Sequence, residues 1–344
     1  MVHQKPFEIA FIFFGFYGKS KQLFVYYVHA EERGGHMGII EVENLTKDYG
    51  FKRGVFGISF KIKKGEAYGF LGPNGAGKTT AIRHLIGFSK PDSGKARIFG
   101  LDSFKHYSEI LDRVGYIPGE ISLPQGITGY EFIDMMKKMR KVRDDSRVEK
   151  LIELFELDPS GDTKRMSFGN KRKLAIVVAL MHDPEILILD EPTSGLDPVM
   201  QEAFMQLLKK ERRRGKTILL STHIFSEVET LCDRVSIIKN GYIVDEFPMS
   251  KLKYAEDKLY KITFGSSGEA NELRARLEDN SIWICERQEG DTLYIQVNDR
   301  NINEFLSILK DYNVRLFSHE KLTLEEYFMQ YYLDDVEFKG VSHG

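Results

Sequence analysis

The sequence predicts an α/β protein: a parallel, two-sided sheet interrupted by a helical insertion, then a small α+β domain. Three observations carry this. Short, continuously apolar stretches at Ala67–Leu71, 186–189 and 217–221 alternate with helical segments, the pattern of strands buried on both faces. A glycine-rich turn at residues 72–79 joins the first of these strands to a helix. After about residue 249 the pattern restarts in the order βαββαβ, which suggests a split βαβ domain.

The elements follow in order. Residues 39–44 and 57–62 alternate like strands, joined by turns around Gly50 and Gly54, and form an antiparallel β subdomain. A helix over 79–88 is stopped by Pro91-Asp92-Ser93-Gly94. Residues 107–164 read as mostly helical, with apolar residues at helical spacing over 129–140 and 146–155. Strands return at 186–189, 217–221 and 235–239. In the second domain strands are expected at 260–264, 282–287, 292–297 and 314–318, with helices at 269–277 and 302–311 and a last helix over 323–332. The expected division is an N-terminal extension 1–36, a main domain 37–249 with its helical insertion over about 106–165, and an accessory domain 250–344.

Composition excludes several classes. Lysine plus arginine number 49 and aspartate plus glutamate 51, so no overall charge draws the chain to nucleic acid. Cys232 and Cys285 are too few for a disulfide scaffold or a four-ligand zinc site. No apolar run approaches the ~20 residues that span a bilayer. The run over 9–16 has the length of a signal-peptide core, but has few basic residues before it and no Ala-x-Ala pattern after it. The aromatic-rich extension carries no recognisable chemistry; a natural start at Met37 is the expected reading, and docking on a membrane or partner the alternative.

The chemistry lies in Gly72-Pro73-Asn74-Gly75-Ala76-Gly77-Lys78-Thr79, a P-loop pattern, with Thr80 next in the helix. Backbone N–H groups converge on polyphosphate only where side chains are absent, and a helix start aims its positive end at the anion. Lys78 adds charge at the β- and γ-phosphates, and the Thr79 hydroxyl suits Mg²⁺. Four apolar residues then end in Asp190-Glu191. Asp190 is expected to hold Mg²⁺ through water, and Glu191 to orient the attacking water.

Around this pair the chain resembles the ABC transporter ATPases. Met166-Ser167-Phe168-Gly169-Asn170 resembles their signature motif, Ser194-Gly195-Leu196-Asp197-Pro198 their D-loop, and Ser221-Thr222-His223 their switch histidine. Tyr49 matches the aromatic that stacks on adenine. The resemblance covers residues 37–249 and implies a site shared between two subunits paired head to tail. Each ATP would lie between one P-loop and Ser167, Gly169 and Asn170 of the other copy, with Asp197 at the junction. It implies Lys78, Glu191 and His223 as the catalytic set, ATP and Mg²⁺ as ligands, and a transmembrane permease as partner. The second nucleotide-binding subunit would be another copy or a close paralogue. The chain is similar to single-cassette ATPases serving separately encoded, export-type permeases at the cytoplasmic face of the membrane. The C-terminal run Leu322-Thr323-Leu324-Glu325-Glu326-Tyr327-Phe328 looks like the tail common in that group.

Two departures stand out. Phe168 and Asn170 replace the usual glycine and glutamine of the signature. Gly115-Tyr116-Ile117-Pro118 matches the Q-loop lead-in, but Gly119-Glu120 stands where glutamine is usual; Glu120 is one candidate for the Mg²⁺ contact and Gln125 another. The basic runs at 209–216, 137–143 and Lys171-Arg172-Lys173 read as solvated helix surface rather than a nucleic-acid face, since no aromatics interleave them. A nucleic-acid-associated ABC protein would usually carry two cassettes or a coiled coil, and no heptad run occurs here. A non-hydrolysing regulator is opposed by Lys78, Asp190, Glu191 and His223 all being present.

Overall fold

The computed structural model describes residues 9–17, 20–28, 38–253, 257–278, 283–320 and 323–333. The chain divides into two units, 1–37 and 38–344. In the first, β1 (Ile9–Tyr17) and β2 (Ser20–Val28) pair as an antiparallel hairpin with Ile9 opposite Val28. The expected start at Met37 lies outside the described residues.

The second unit opens with β3 (Ile40–Asp48), β4 (Gly54–Ile62), β5 (Ala67–Leu71), α1 (Lys78–Leu85), β6 (Ser93–Ile98) and β7 (Leu101–Asp102). Then come α2 (Tyr107–Leu111), β8 (Val114–Ile117), α3 (Gly129–Met139), α4 (Ser146–Leu154), α5 (Phe168–Leu180) and β9 (Ile186–Asp190). The main body continues through α6 (Pro198–Arg213), β10 (Thr217–Thr222), α7 (Phe225–Leu231), β11 (Arg234–Lys239), β12 (Tyr242–Pro248) and α8 (Ser250–Lys253). The rest is β13 (Asp257–Phe264), α9 (Ser267–Glu278), β14 (Ile284–Glu289), β15 (Thr292–Asn298), α10 (Ile302–Leu309), β16 (Val314–Glu320) and α11 (Leu324–Leu333).

Among the described residues, this unit holds three sheets. The central one runs β12-β11-β5-β10-β9-β8, parallel except for the edge strand β12. An antiparallel sheet β4-β3-β6-β7 packs against it, and an antiparallel sheet β14-β15-β13-β16 forms the C-terminal βαββαβ unit. The apolar strand runs follow from burial on two sides. In β9, Leu187 and Leu189 enter the core shared with α5 and α6, while Ile186 and Ile188 enter the core shared with α1 and the antiparallel sheet.

Three strands depart from the sequence reading. Residues 114–117, inside the stretch expected to be helical and inside the insertion placed at 106–165, form β8 and pair in parallel with β9. Four residues, V-G-Y-I, are too short to reveal a period; the longer helices α3 and α4 follow β8, and only the short α2 precedes it within 106–165. Ser93 and Gly94, taken as a stop, begin β6; only Ala96 and Ile98 of that strand are buried. β12 was not anticipated because it is an edge strand with mostly solvent-facing residues.

Beyond the C-terminal sheet, whose own core includes Phe264, Leu273, Ile295 and Phe305, the chain returns to the main body. α11 buries Leu324 and Phe328 in the core that also holds α7. Phe328 meets Phe225 edge-on at 5.1 Å, and the Tyr327 and Tyr331 hydroxyls both donate to Asp245 Oδ2 at 2.7 Å. Leu322, first residue of the expected tail motif, lies outside the described residues.

Candidate functional site

The C-terminal ends of β5, β10 and β9 lie side by side, Thr222 opposite Leu71 and Ser221 opposite Asp190. Loops leaving adjacent parallel strands there make a natural crevice. A cavity of about 780 Å³ opens at this edge, lined by Tyr49, Pro73, Asn74, Gly75, Gly77, Lys78, Thr79, Thr80, Glu120, Glu191 and His223 among others. The 72–79 turn begins α1 at Gly77, whose φ of 112° excludes other residues. No side chain caps this helix start, so its first N–H groups remain available to an anion.

Lys78 is buried and donates to the carbonyls of Gly72 (2.6 Å) and Pro73 (3.2 Å), with Glu191 Oε1 3.2 Å away. Asp190 is fully buried and accepts from Thr79 Oγ1 (2.6 Å) on one oxygen and Ser221 Oγ (2.8 Å) on the other. A carboxylate and a hydroxyl at a phosphate cradle are hard oxygen donors of the kind Mg²⁺ prefers. Glu191 has φ 47°, a costly value for a residue with a side chain, and its N–H is held by Ser221 O at 2.8 Å. That turn sends its carboxylate back over the cradle, where Oε2 lies 2.8 Å from His223 Nδ1.

Other expected residues fall elsewhere. Gly72 and Ala76 belong to the turn but are not among the cavity-lining residues. Gln125 is exposed and does not line the cavity, whereas Glu120 does. Ser167 caps α5 and accepts the Asn170 N–H at 3.2 Å; with Gly169 and Asn170 it lies on an accessible helix end outside the cavity lining. Asp197 is exposed and caps α6 through the Met200 N–H at 3.0 Å. Tyr49 is 51% exposed at the tip of the β3–β4 hairpin.

Several residues at the site were not among the site residues expected from the sequence. Arg53 and Arg83 bring positive charge to the cavity, and Tyr116 lines it with its hydroxyl pKa raised by burial and by Asp190. Glu227 is buried behind the Glu191–His223 pair and accepts from Thr193 Oγ1. Burial raises its pKa, and nearby Glu191 adds to the effect. One correction concerns the basic runs. Arg172, expected in solvent, is fully buried, and Glu211 and Lys216 of the 209–216 run are largely buried. Lys216 Nζ joins Asp183, and Arg147 and Arg214 join Glu211.

Comparison with known proteins fits this geometry. A family profile described as ABC transporter matches residues 55–194. The bacitracin transport ATP-binding protein of Bacillus licheniformis is 34% identical over 297 residues, 85% of this chain and 96% of its own. The chain belongs to the ABC transporter ATP-binding family. A second relative of this family, the Nod factor export ATP-binding protein I of Paraburkholderia xenovorans (strain LB400), is 35% identical over 299 residues, again 85% of this chain and 96% of its own. A solved ATP-binding subunit of an ABC transporter has the same fold, with TM-score 0.58 and 29% identity over 62% of this chain and 92% of its own. A bacterial ABC transporter cassette solved as a dimer gives TM-score 0.54 and 25% identity over 61% and 98%. This chain is accordingly an ATP-binding, ATP-hydrolysing subunit of ABC transporter type.

Proposed function

We propose that this ABC ATPase powers a separate, export-type transmembrane permease from the cytoplasmic face of the membrane. Two nucleotide-binding subunits would close around ATP and reopen on its hydrolysis. One observation carries the shared-site reading: Lys78, Thr79, Glu191 and His223 line one cavity, with Asp190 buried behind Thr79, while Ser167, Gly169 and Asn170 form an accessible helix end outside it. Ser167 Oγ engages only the Asn170 N–H at this helix start; its positive end faces solvent, and the γ-phosphate held by a second subunit would meet it. The relatives that transport bacitracin or export Nod factor, and the cassette solved as a dimer, support the permease and the pairing.

Within each site the turn from Gly72 to Thr79 would hold the phosphates and Lys78 neutralise them. Tyr49 would stack on adenine through its open face. Thr79 and Asp190 would hold Mg²⁺, with Glu120 at the mouth; the ion would neutralise charge on the phosphate oxygens. Glu191, fixed through its backbone and by His223, would orient and polarise the attacking water.

Glu191→Gln tests this. Turnover should fall on the order of a hundredfold, while Mg-ATP still binds and drives dimerisation seen by light scattering. Unchanged turnover would refute the role given to Glu191, and a variant that stays monomeric at saturating Mg-ATP would refute the shared site.

A further inference from the structure

Arg172 lies on the first turns of α5, and all three of its hydrogen-bond partners are main-chain carbonyls. Nε donates to Ser194 O at 3.0 Å, Nη1 to Pro118 O at 2.6 Å and Nη2 to Gly119 O at 2.7 Å. The guanidinium is fully buried and lies 5.6 Å over the Phe168 ring. Phe168 in turn presses on Gly195, where an added Cβ would fall 2.1 Å from the ring.

These partners come from two pieces of the site, Pro118-Gly119 and Ser194, and Arg172 itself stands on a third. Ser194 belongs to the turn that starts at Glu191, its N–H bonded to Glu191 O at 3.2 Å. Gly119 lies beside Asp190, since a Cβ there would sit 3.3 Å from Asp190 Oδ2. Arg172 shares the helix end that Ser167 caps. A guanidinium is a rigid planar fork, so three acceptors held by one such group keep fixed spacing. Buried carbonyls that lose a donor are costly, which opposes separate movement of the three pieces. At the same place the chain has glycine where glutamine is usual in the family.

We propose that Arg172 is a positioning residue for hydrolysis, passing displacement of the α5 end to the Gly119-Glu120 segment and to the turn after Glu191. This rests on the shared-site reading, because the displacement is set when the α5 end meets the second subunit's nucleotide. The pieces it joins line the cavity beside Glu191 and not within the 72–79 turn, so loss of the fork disturbs the alignment of Glu191 more than the grip of the P-loop.

The test uses Arg172→Lys and Arg172→Gln in the full chain, with melting temperature, equilibrium Mg-ATP binding and steady-state turnover measured together. Lysine keeps the charge but cannot reach the three carbonyls at once. The expected result is kcat lowered about tenfold or more, with KM and Mg-ATP affinity within about threefold of the parent. A folded variant with parental kcat would overturn the proposal, as would affinity falling as far as kcat. Should both variants fail to fold, Phe168→Leu removes the supporting ring without stranding a carbonyl. It should lower kcat about threefold at unchanged affinity, and parental kcat there would equally overturn the role. Mg-ATP dimerisation of Glu191→Gln reports on the shared site alone: a dimer there beside normal turnover in Arg172→Lys refutes only the Arg172 role.

Discussion

Helix α1 starts at Gly77 with no side-chain cap, and around it stand Lys78, Asp190, Glu191 and His223, held by bonds of 2.6–3.2 Å. Helix α5 starts at Ser167, whose own hydroxyl caps it, and its end stays accessible with only Asn170 N–H engaged by that cap. Both are helix N-termini with the same partial positive charge. The first is surrounded by charged and polar groups of its own chain, which on the proposed reading would orient a polyphosphate. The second has the buried Arg172 guanidinium behind it and an accessible face in front. On the proposed reading, such a half-site would work only when a second subunit closes it.

Breaking the two regions separately sharpens the contrast. Lys78→Ala strikes the closed region; removing a buried charged donor should weaken Mg-ATP binding to the isolated subunit on the order of a hundredfold or more, measured by equilibrium binding. Gly169→Asp strikes the open region. It should leave that binding within about twofold but cut turnover on the order of tenfold to a hundredfold, because a carboxylate would face the second subunit's phosphates. Parallel loss of affinity in both variants would erase the distinction.

The far end of α5 gives smaller effects, which should reach stability and not nucleotide affinity. His182, just past that end, has its pKa lowered to about 4 by burial, with Arg140, Lys216 and Arg147 adding to it. A depressed histidine stabilises the fold above its unfolded pKa near 6.5 and loses that contribution as pH falls toward 4. The parent should therefore lose about 2 kcal/mol across that window, and His182→Phe should flatten the curve in denaturant titrations at each pH. Asp183 next to it is opposed by burial, yet Lys216 and Arg214 hold its pKa down at about 2. Its contribution is present above the ordinary carboxylate pKa and fades as pH falls toward 2. Since the side chain is 47% exposed, Asp183→Asn should cost only about 1 kcal/mol at neutral pH after solvent screening.

Legibility in the sequence follows burial. β5 and β9 were plain because both faces of each strand are covered, so no polar residue interrupts the run. β6 and β12, half exposed, offered only S-G-K-A-R-I and Y-I-V-D-E-F-P, which local propensity does not separate from turn and loop. Lys78, Asp190 and Glu191 stood out because the P-loop pattern and the acid pair after an apolar strand fit one chemistry, whereas His223 was read only through the family resemblance. Glu227 and Arg83 were not, since they stand on α7 and α1 outside the residues that make up any motif.

Local sequence by itself determined the phosphate cradle, the acid pair and the family, because backbone dihedrals and strand–turn–helix geometry are set within a few residues. Tertiary structure alone decided that one cation of the Lys171-Arg172-Lys173 run turns inward. The three carbonyls it satisfies come from positions 118, 119 and 194, and only folding brings such distant main-chain acceptors within reach of a single guanidinium.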